Sequence, residues 1–240
     1  MHPVHNPVIC AIDTSQLDHA ITLCQTLAPY IGMAKLGLEF FMAHGPDGIH
    51  AVRKATPELP IFLDVKLHDI PNTVSKAIAS LIPLNLAIIT LHCAGGTHML
   101  RLAAETAHNE ASKRGIHAPK LIGITVLTSL DQTDLQQIGV SASPDQQVTR
   151  LASLANASGI DGIVCSPHEI VAVRTHCGKD FTIITPGIRP HASPQNDQKR
   201  TLTPQEALAK GANYLVIGRP ITDSTNPAEA AKAIMDSLKL

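Results

Sequence analysis

Short apolar runs rich in Val, Ile and Leu recur along the chain at a spacing of roughly 30 residues, the length of one strand–helix unit. They occupy residues 8–12 (VICAI), 33–38 (MAKLGL), 61–67 (IFLDVKL) and 86–92 (LAIITLH). Four more follow at residues 121–127 (LIGITVL), 162–165 (GIVC), 181–185 (FTIIT) and 214–218 (YLVIG). Between them, apolar positions shift to helical spacing over residues 18–28, 46–55, 72–82, 97–113, 144–157, 167–176, 204–210 and 227–238. Pro46, Pro144, Pro167, Pro204 and Pro227 each stand at the start of one of these stretches, where the missing N–H costs no helical hydrogen bond. Near-continuous apolar strands alternating with helices predict a parallel sheet covered by helices.

Eight strands and eight helices predict an α/β fold, a single (β/α)8 TIM barrel spanning residues 1–240 as one domain. A doubly wound open sheet is the alternative, but it calls for a glycine-rich turn after the first strand, and Ala11-Ile12-Asp13-Thr14 has none. No repeat, low-complexity run or linker divides the chain.

Composition narrows the function classes. Hydrophobic residues make up 44% of the 240 positions and charged residues 16%, which excludes a disordered chain. Nineteen Lys and Arg against 20 Asp and Glu leave a net charge of −1, so no bulk field recruits nucleic acid or an anionic membrane. Four Phe, two Tyr and no Trp are too few for a base-stacking surface. The most apolar stretch, residues 78–91, is interrupted by Pro83 and Asn85 and is too short to span a bilayer. Residues 1–13 lack Lys and Arg and make a poor secretory signal, and the five cysteines are scattered without a C-x-x-C pair. Reduced thiols and a cytoplasmic location are expected. Thirteen histidines include no H-E-x-x-H, so no metal site is expected. Walker, G-x-G-x-x-G and G-x-S-x-G motifs are also missing from the positions that would give them meaning.

In a barrel of this kind, chemistry sits at the C-terminal strand ends. Those positions hold Asp13, Lys35, Asp64, Lys66, His92, residues 125–128, residues 186–189, Gly218 and Arg219. His92 reads as a hydrogen-bonded barrel-end histidine. The third run is the sharpest: strand alternation turns Asp64 and Lys66 to one side and Leu63, Val65 and Leu67 to the other. The polar pair is therefore expected at the open end of the barrel axis, as a proton donor with its counter-charge or as a stabilising ion pair. Asp69 lies past the strand, where spacing gives no direction and a helix cap is the plain alternative. At the other end of the chain, Gly187, Arg189, Gly218 and Arg219 follow the seventh and eighth runs, where barrels of this kind build phosphate sites. The polar stretch 191–200 has the length and composition of a covering loop.

The segment Asp64-x-Lys66-x-x-Asp69-Ile70-Pro71-x-Thr73 resembles the active-site motif of the orotidine 5′-phosphate decarboxylase family. The likeness extends to Ala11-Ile12-Asp13, Lys35-Leu36-Gly37, Leu91-His92-Cys93-Ala94-Gly95-Gly96, Thr125-Val126-Leu127-Thr128-Ser129, Thr185-Pro186-Gly187-Ile188-Arg189-Pro190 and Leu215-Val216-Ile217-Gly218-Arg219-Pro220. It implies decarboxylation of orotidine 5′-monophosphate to uridine 5′-monophosphate in pyrimidine biosynthesis, with Lys66 protonating C6 and no cofactor or metal. Lys35, Asp64, Lys66 and Asp69 would form an alternating charge array, with Asp69, Ile70 and Thr73 supplied by the second subunit of a homodimer. Asp13 and Lys35 would hold the ribose, Thr128 the pyrimidine, Gln198, Gly218 and Arg219 the phosphate, and Arg189 would bind from the closing loop. A sugar-phosphate decarboxylase of the same superfamily, which a magnesium requirement would mark, and a non-catalytic phosphate-binding barrel are the rival readings.

Overall fold

The computed structural model describes residues 6–189 and 202–238. Eight parallel strands close in sequence order into a barrel: β1 (Val8–Ile12), β2 (Met33–Gly37), β3 (Ile61–Leu67), β4 (Ile88–His92), β5 (Lys120–Ile124), β6 (Gly162–Val164), β7 (Thr182–Thr185) and β8 (Tyr214–Ile217). The closing seam pairs Val8, Ile9 and Cys10 of β1 with Leu215, Val216 and Ile217 of β8. The predicted barrel is therefore the observed one.

Helices wrap the outside: α1 (Leu17–Leu27), α2 (Leu38–Ala55), α3 (Pro71–Leu81), α4 (Gly96–Arg114), α5 (Gln132–Gln137), α6 (Pro144–Ala157), α7 (Ile170–Cys177), α8 (Pro204–Ala209), α9 (Arg219–Thr222) and α10 (Pro227–Ser237). Three differ from the expected pattern. α2 starts eight residues before the expected 46, directly off β2, and is broken inside at Gly45 (φ 54°, ψ −149°), after which Pro46 begins its second half. The short helices α5 and α9 are additional to the eight expected stretches. The fifth strand stops at Ile124 rather than continuing to residue 127.

Strand alternation sorts side chains into two cores. Val8, Cys10 and Ile12 of β1 face the helices with Leu63, Val65 and Ile89, while Ile9, Met33, Phe62, Ile88, Ile122 and Ile184 fill the barrel axis. Further along β1 to β4, the inward positions turn from this apolar plug to polar and charged groups. Ile9 is followed by Ala11 and Asp13, Met33 by Lys35, Phe62 by Asp64, and Ile88 by Thr90. The plug thus forms the floor of an open-ended site.

Candidate active site

Above that floor lies a cavity of about 400 Å³. Asp13, Lys35, Asp64 and Lys66 line one side, Thr128 enters from the segment after β5, and Arg189, Gly218 and Arg219 come from the ends of β7 and β8. The chain thus brings eight of the sequence-predicted positions together. Ala11, Phe62, Ile124, Val164 and Val216 add an apolar wall that the sequence reading did not single out. Their signal was available: each sits on a strand at an inward position, and Ala11 and Phe62 stand two residues before the predicted Asp13 and Asp64.

The charges form a connected line. Lys35 Nζ lies 3.5 Å from Asp13 Oδ1 and 3.5 Å from Asp64 Oδ2, and Lys66 Nζ donates to Asp64 Oδ2 at 2.9 Å. Asp13 is largely open to solvent, with its side chain 65% exposed, whereas those of Lys35 and Asp64 are each 12% exposed. Burial alone would raise the Asp64 carboxyl pKa, but attraction to Lys35 and Lys66 and hydrogen bonds from Lys66 and Thr90 bring it below the usual carboxylate range. An ion pair this buried keeps both charges only when each oxygen and proton is partnered. Here the second carboxylate oxygen is also satisfied, because Thr90 Oγ1 donates to Asp64 Oδ1 at 2.9 Å.

Lys66 reaches the cavity by an irregular route. Plain alternation assigns it the correct face, but β3 is not regular there. The β3–β4 ladder pairs Leu63 with Ile89 and then Leu67 with Leu91, so β3 takes four residue steps where β4 takes two. Lys66 lies within this bulge in the left-handed region (φ 50°). For a residue with a Cβ that conformation costs roughly 1–2 kcal/mol and persists only where neighbours enforce it.

At the end of β8, α9 starts at Arg219 immediately after Gly218. A Cβ at Gly218 would come within 3.3 Å of Ala11 Cβ and 3.9 Å of Asp13 Oδ2, so glycine keeps the cavity open at this corner. Arg189 donates from its backbone to Leu202 O at 3.0 Å, which ties the β7 end to the segment leading into α8. Among the described residues, four cationic and two carboxylate side chains line the cavity, leaving it net positive.

Other predicted residues lie elsewhere. Asp69, Ile70 and Thr73 are exposed and line no part of the cavity in their own chain. Asp69 Oδ1 accepts from the Ile70 N–H at 2.6 Å, and the N-cap position of α3 is Ile70, so Asp69 is not the helix cap. His92 is half-buried and stacks on His68 (centroids 5.2 Å apart, 30° between planes), a ring partner in place of the expected hydrogen bond. Burial, then the proximity of His68 and Lys66, lowers its pKa. Gln198 and the stretch 191–200 lie outside the described residues. Among the described residues no three His, Cys, Asp or Glu side chains converge on a point that would hold a metal ion.

Comparison with known proteins identifies the family. Residues 6–234 match the orotidine 5′-phosphate decarboxylase / HUMPS family. The chain is 52% identical over 235 residues to the orotidine 5′-phosphate decarboxylase of Paramagnetospirillum magneticum, covering 98% of this chain and 99% of the relative. It is 50% identical over 233 residues to that of Wolbachia pipientis, covering 97% and 99%. The crystal structure of the Lactobacillus acidophilus orotidine 5′-phosphate decarboxylase superposes with a TM-score of 0.85 at 33% identity, covering 98% of this chain and 100% of that one. By whole-length sequence likeness and by fold, the chain belongs to the orotidine 5′-phosphate decarboxylase / HUMPS family.

Proposed function

We propose that residues 1–240 act as one catalytic domain that decarboxylates orotidine 5′-monophosphate to uridine 5′-monophosphate. The observation that carries this reading is the buried Asp64–Lys66 pair facing, across one cavity, two arginines at the β7 and β8 ends. Orotidine 5′-monophosphate carries two anionic groups, a phosphate at one end and a carboxylate on its ring, joined through the ribose. The cavity offers the Lys35 and Lys66 ammonium groups, the Arg189 and Arg219 guanidinium groups and an apolar wall. Relatives about half identical over nearly the whole chain carry the decarboxylase name, which supports the same choice.

The chemical problem is a carbanion at C6. As the C6–carboxylate bond breaks, its electron pair stays on C6 and carbon dioxide departs. The Lys66 ammonium stabilises the developing charge and then transfers its proton to C6, after which solvent returns a proton to the amine. Asp64 holds Lys66 in place and is itself braced by Lys35, Asp13 and Lys35 take the ribose hydroxyls, and Thr128 contacts the ring. Arg219, Arg189, Gly218 and Gln198 bind the phosphate.

The reading extends to a homodimer with shared sites. Asp69, Ile70 and Thr73 stand exposed beside the cavity mouth rather than in it, which suits delivery to a second copy. Ile70 (66% exposed), Met42 (75%) and Leu38 (43%) leave apolar surface at the ends of the neighbouring strands β2 and β3. All five cysteines are unpaired and no helix among the described residues is long and apolar enough to cross a membrane, in keeping with a cytoplasmic enzyme.

The direct test is conversion of orotidine monophosphate in the presence of a metal chelator, followed by ultraviolet absorbance. Turnover without metal is expected. No turnover, or decarboxylation of a keto-acid sugar phosphate that depends on added magnesium, would reject the assignment.

A further inference from the structure

Thr90 is fully buried on β4, and the sequence reading passed it over. Its hydroxyl sits inside the β3–β4 bulge, where the regular ladder is interrupted. Thr90 Oγ1 accepts from the Lys66 backbone N–H at 2.9 Å and donates to Asp64 Oδ1 at 2.9 Å. The proton direction is forced. A backbone N–H only donates and a carboxylate only accepts, so the single hydroxyl proton must point to Asp64 and a lone pair must face Lys66. We infer that Thr90 is a positioning residue, whose hydroxyl holds the left-handed Lys66 backbone and the Asp64 carboxylate in one fixed relation.

The bulge explains why such a group is needed. With β3 out of step, the Lys66 N–H has no strand partner, and a buried N–H without a partner is costly. The hydroxyl replaces the lost ladder acceptor and so stabilises the unusual backbone conformation. Through Asp64 Oδ2, 2.9 Å from Lys66 Nζ, the same hydroxyl also governs the far end of the side chain. Lys66 is thus set at both ends by one oxygen, directly at its amide and through one carboxylate at its amine. A pair held this way needs no reorganisation when charge develops beside it.

The inference rests on the decarboxylase reading for its kinetic arm but not for its structural one. Thr90→Val removes the hydroxyl at nearly constant volume, and Thr90→Ser keeps it while losing a methyl group. The valine variant is expected to lose roughly tenfold or more in kcat with KM changed by less than about threefold, as for a group acting mainly in the transition state. The serine variant should keep kcat within about threefold of wild type. Crystal structures of both variants without substrate should show the Lys66–Asp64 geometry altered in valine and retained in serine. If Thr90→Val does not fold, Thr90→Ala removes the hydroxyl without placing a larger apolar group against Asp64. An unchanged kcat in the hydroxyl-free variant overturns the inference. So does a serine variant impaired as much as the valine one, or a hydroxyl-free variant that keeps Lys66 and Asp64 in place. Failure of the wild-type protein to turn over orotidine monophosphate would instead sink the decarboxylase reading, and the crystallographic arm would then decide on Thr90 alone.

Discussion

Asp64 holds two lysines at once, with Oδ2 2.9 Å from Lys66 Nζ and 3.5 Å from Lys35 Nζ. That double load has a pH consequence with a definite sign. The folded-state carboxyl titrates below the usual range, because Lys35 and Lys66 outweigh the opposing effect of burial. A carboxyl depressed below its unfolded value of about 3.9 gives stability that is complete above that pH. The contribution is lost as pH falls through the lower, folded value. Asp64→Asn should therefore destabilise the protein at pH 7 by on the order of 3 kcal/mol, since Lys66 loses its carboxylate and Lys35 keeps only the exposed Asp13. The gap between variant and wild type should narrow as pH is lowered from about 4. Urea unfolding of both proteins across that range checks this, and a gap constant with pH would contradict it. The residue types at this site were legible in the sequence, because charge at inward strand positions is costly and stands out. The link through Thr90 was not, because it depends on how β3 registers against β4.

At the scale of elements, the strand cores follow the apolar runs while several ends do not. β5 was expected to continue to residue 127, but its last pairings are Ile124 with His92 on one side and with Val164 on the other. Both neighbours end there, so residues 125–127 have no ladder to join, and Thr125 Oγ1 donates to Val164 O at 2.8 Å. The freed segment carries Val126, Leu127 and Thr128 into the cavity wall. The first half of α2 escaped notice because Leu38 and Met42, one turn apart, point outward, which blurs the expected amphipathic stripe. β6 makes a test of strand packing. A Cβ at Gly162 would lie 2.1 Å from the backbone oxygen of Thr182 on the paired strand β7. Backbone cannot yield as a side-chain tip can, so Gly162→Ala should cost at least about 2 kcal/mol. Chemical denaturation reads the loss directly, and a midpoint equal to wild type would show that the β6–β7 seam is looser than its geometry.

For the whole molecule, the decisive question is how the exposed Asp69 acts with the cavity-lining Lys66. If each site takes Lys66 from one subunit and Asp69 from the other, Lys66→Ala and Asp69→Ala homodimers are both nearly inactive. Mixing them under conditions of subunit exchange should restore activity. Each mixed dimer then has one site with both changes and one with neither, and random exchange should return about a quarter of wild-type turnover. No recovery despite exchange, demonstrated by mass or labelling, would mean that the sites are not shared. The exposed apolar side chains of Leu38, Met42 and Ile70 mark the ends of β2 and β3 as the surface to probe first.

The sequence by itself determined the barrel, its chain order and which strand ends gather charged residues around one cavity. Strand alternation and near-continuous apolar runs are local properties, and inward charges at the strand ends betray a site without any knowledge of contacts. The tertiary structure alone decided that the β3–β4 register slips, that Lys66 takes a left-handed backbone, and that Thr90 joins it to Asp64. It also decided that Asp69 does not line the cavity of its own chain. These features arise where two strands of unequal step meet, and where a loop leaves the ladder that would have oriented it. Pairing between distant segments sets both, and periodicity within either segment carries no record of it.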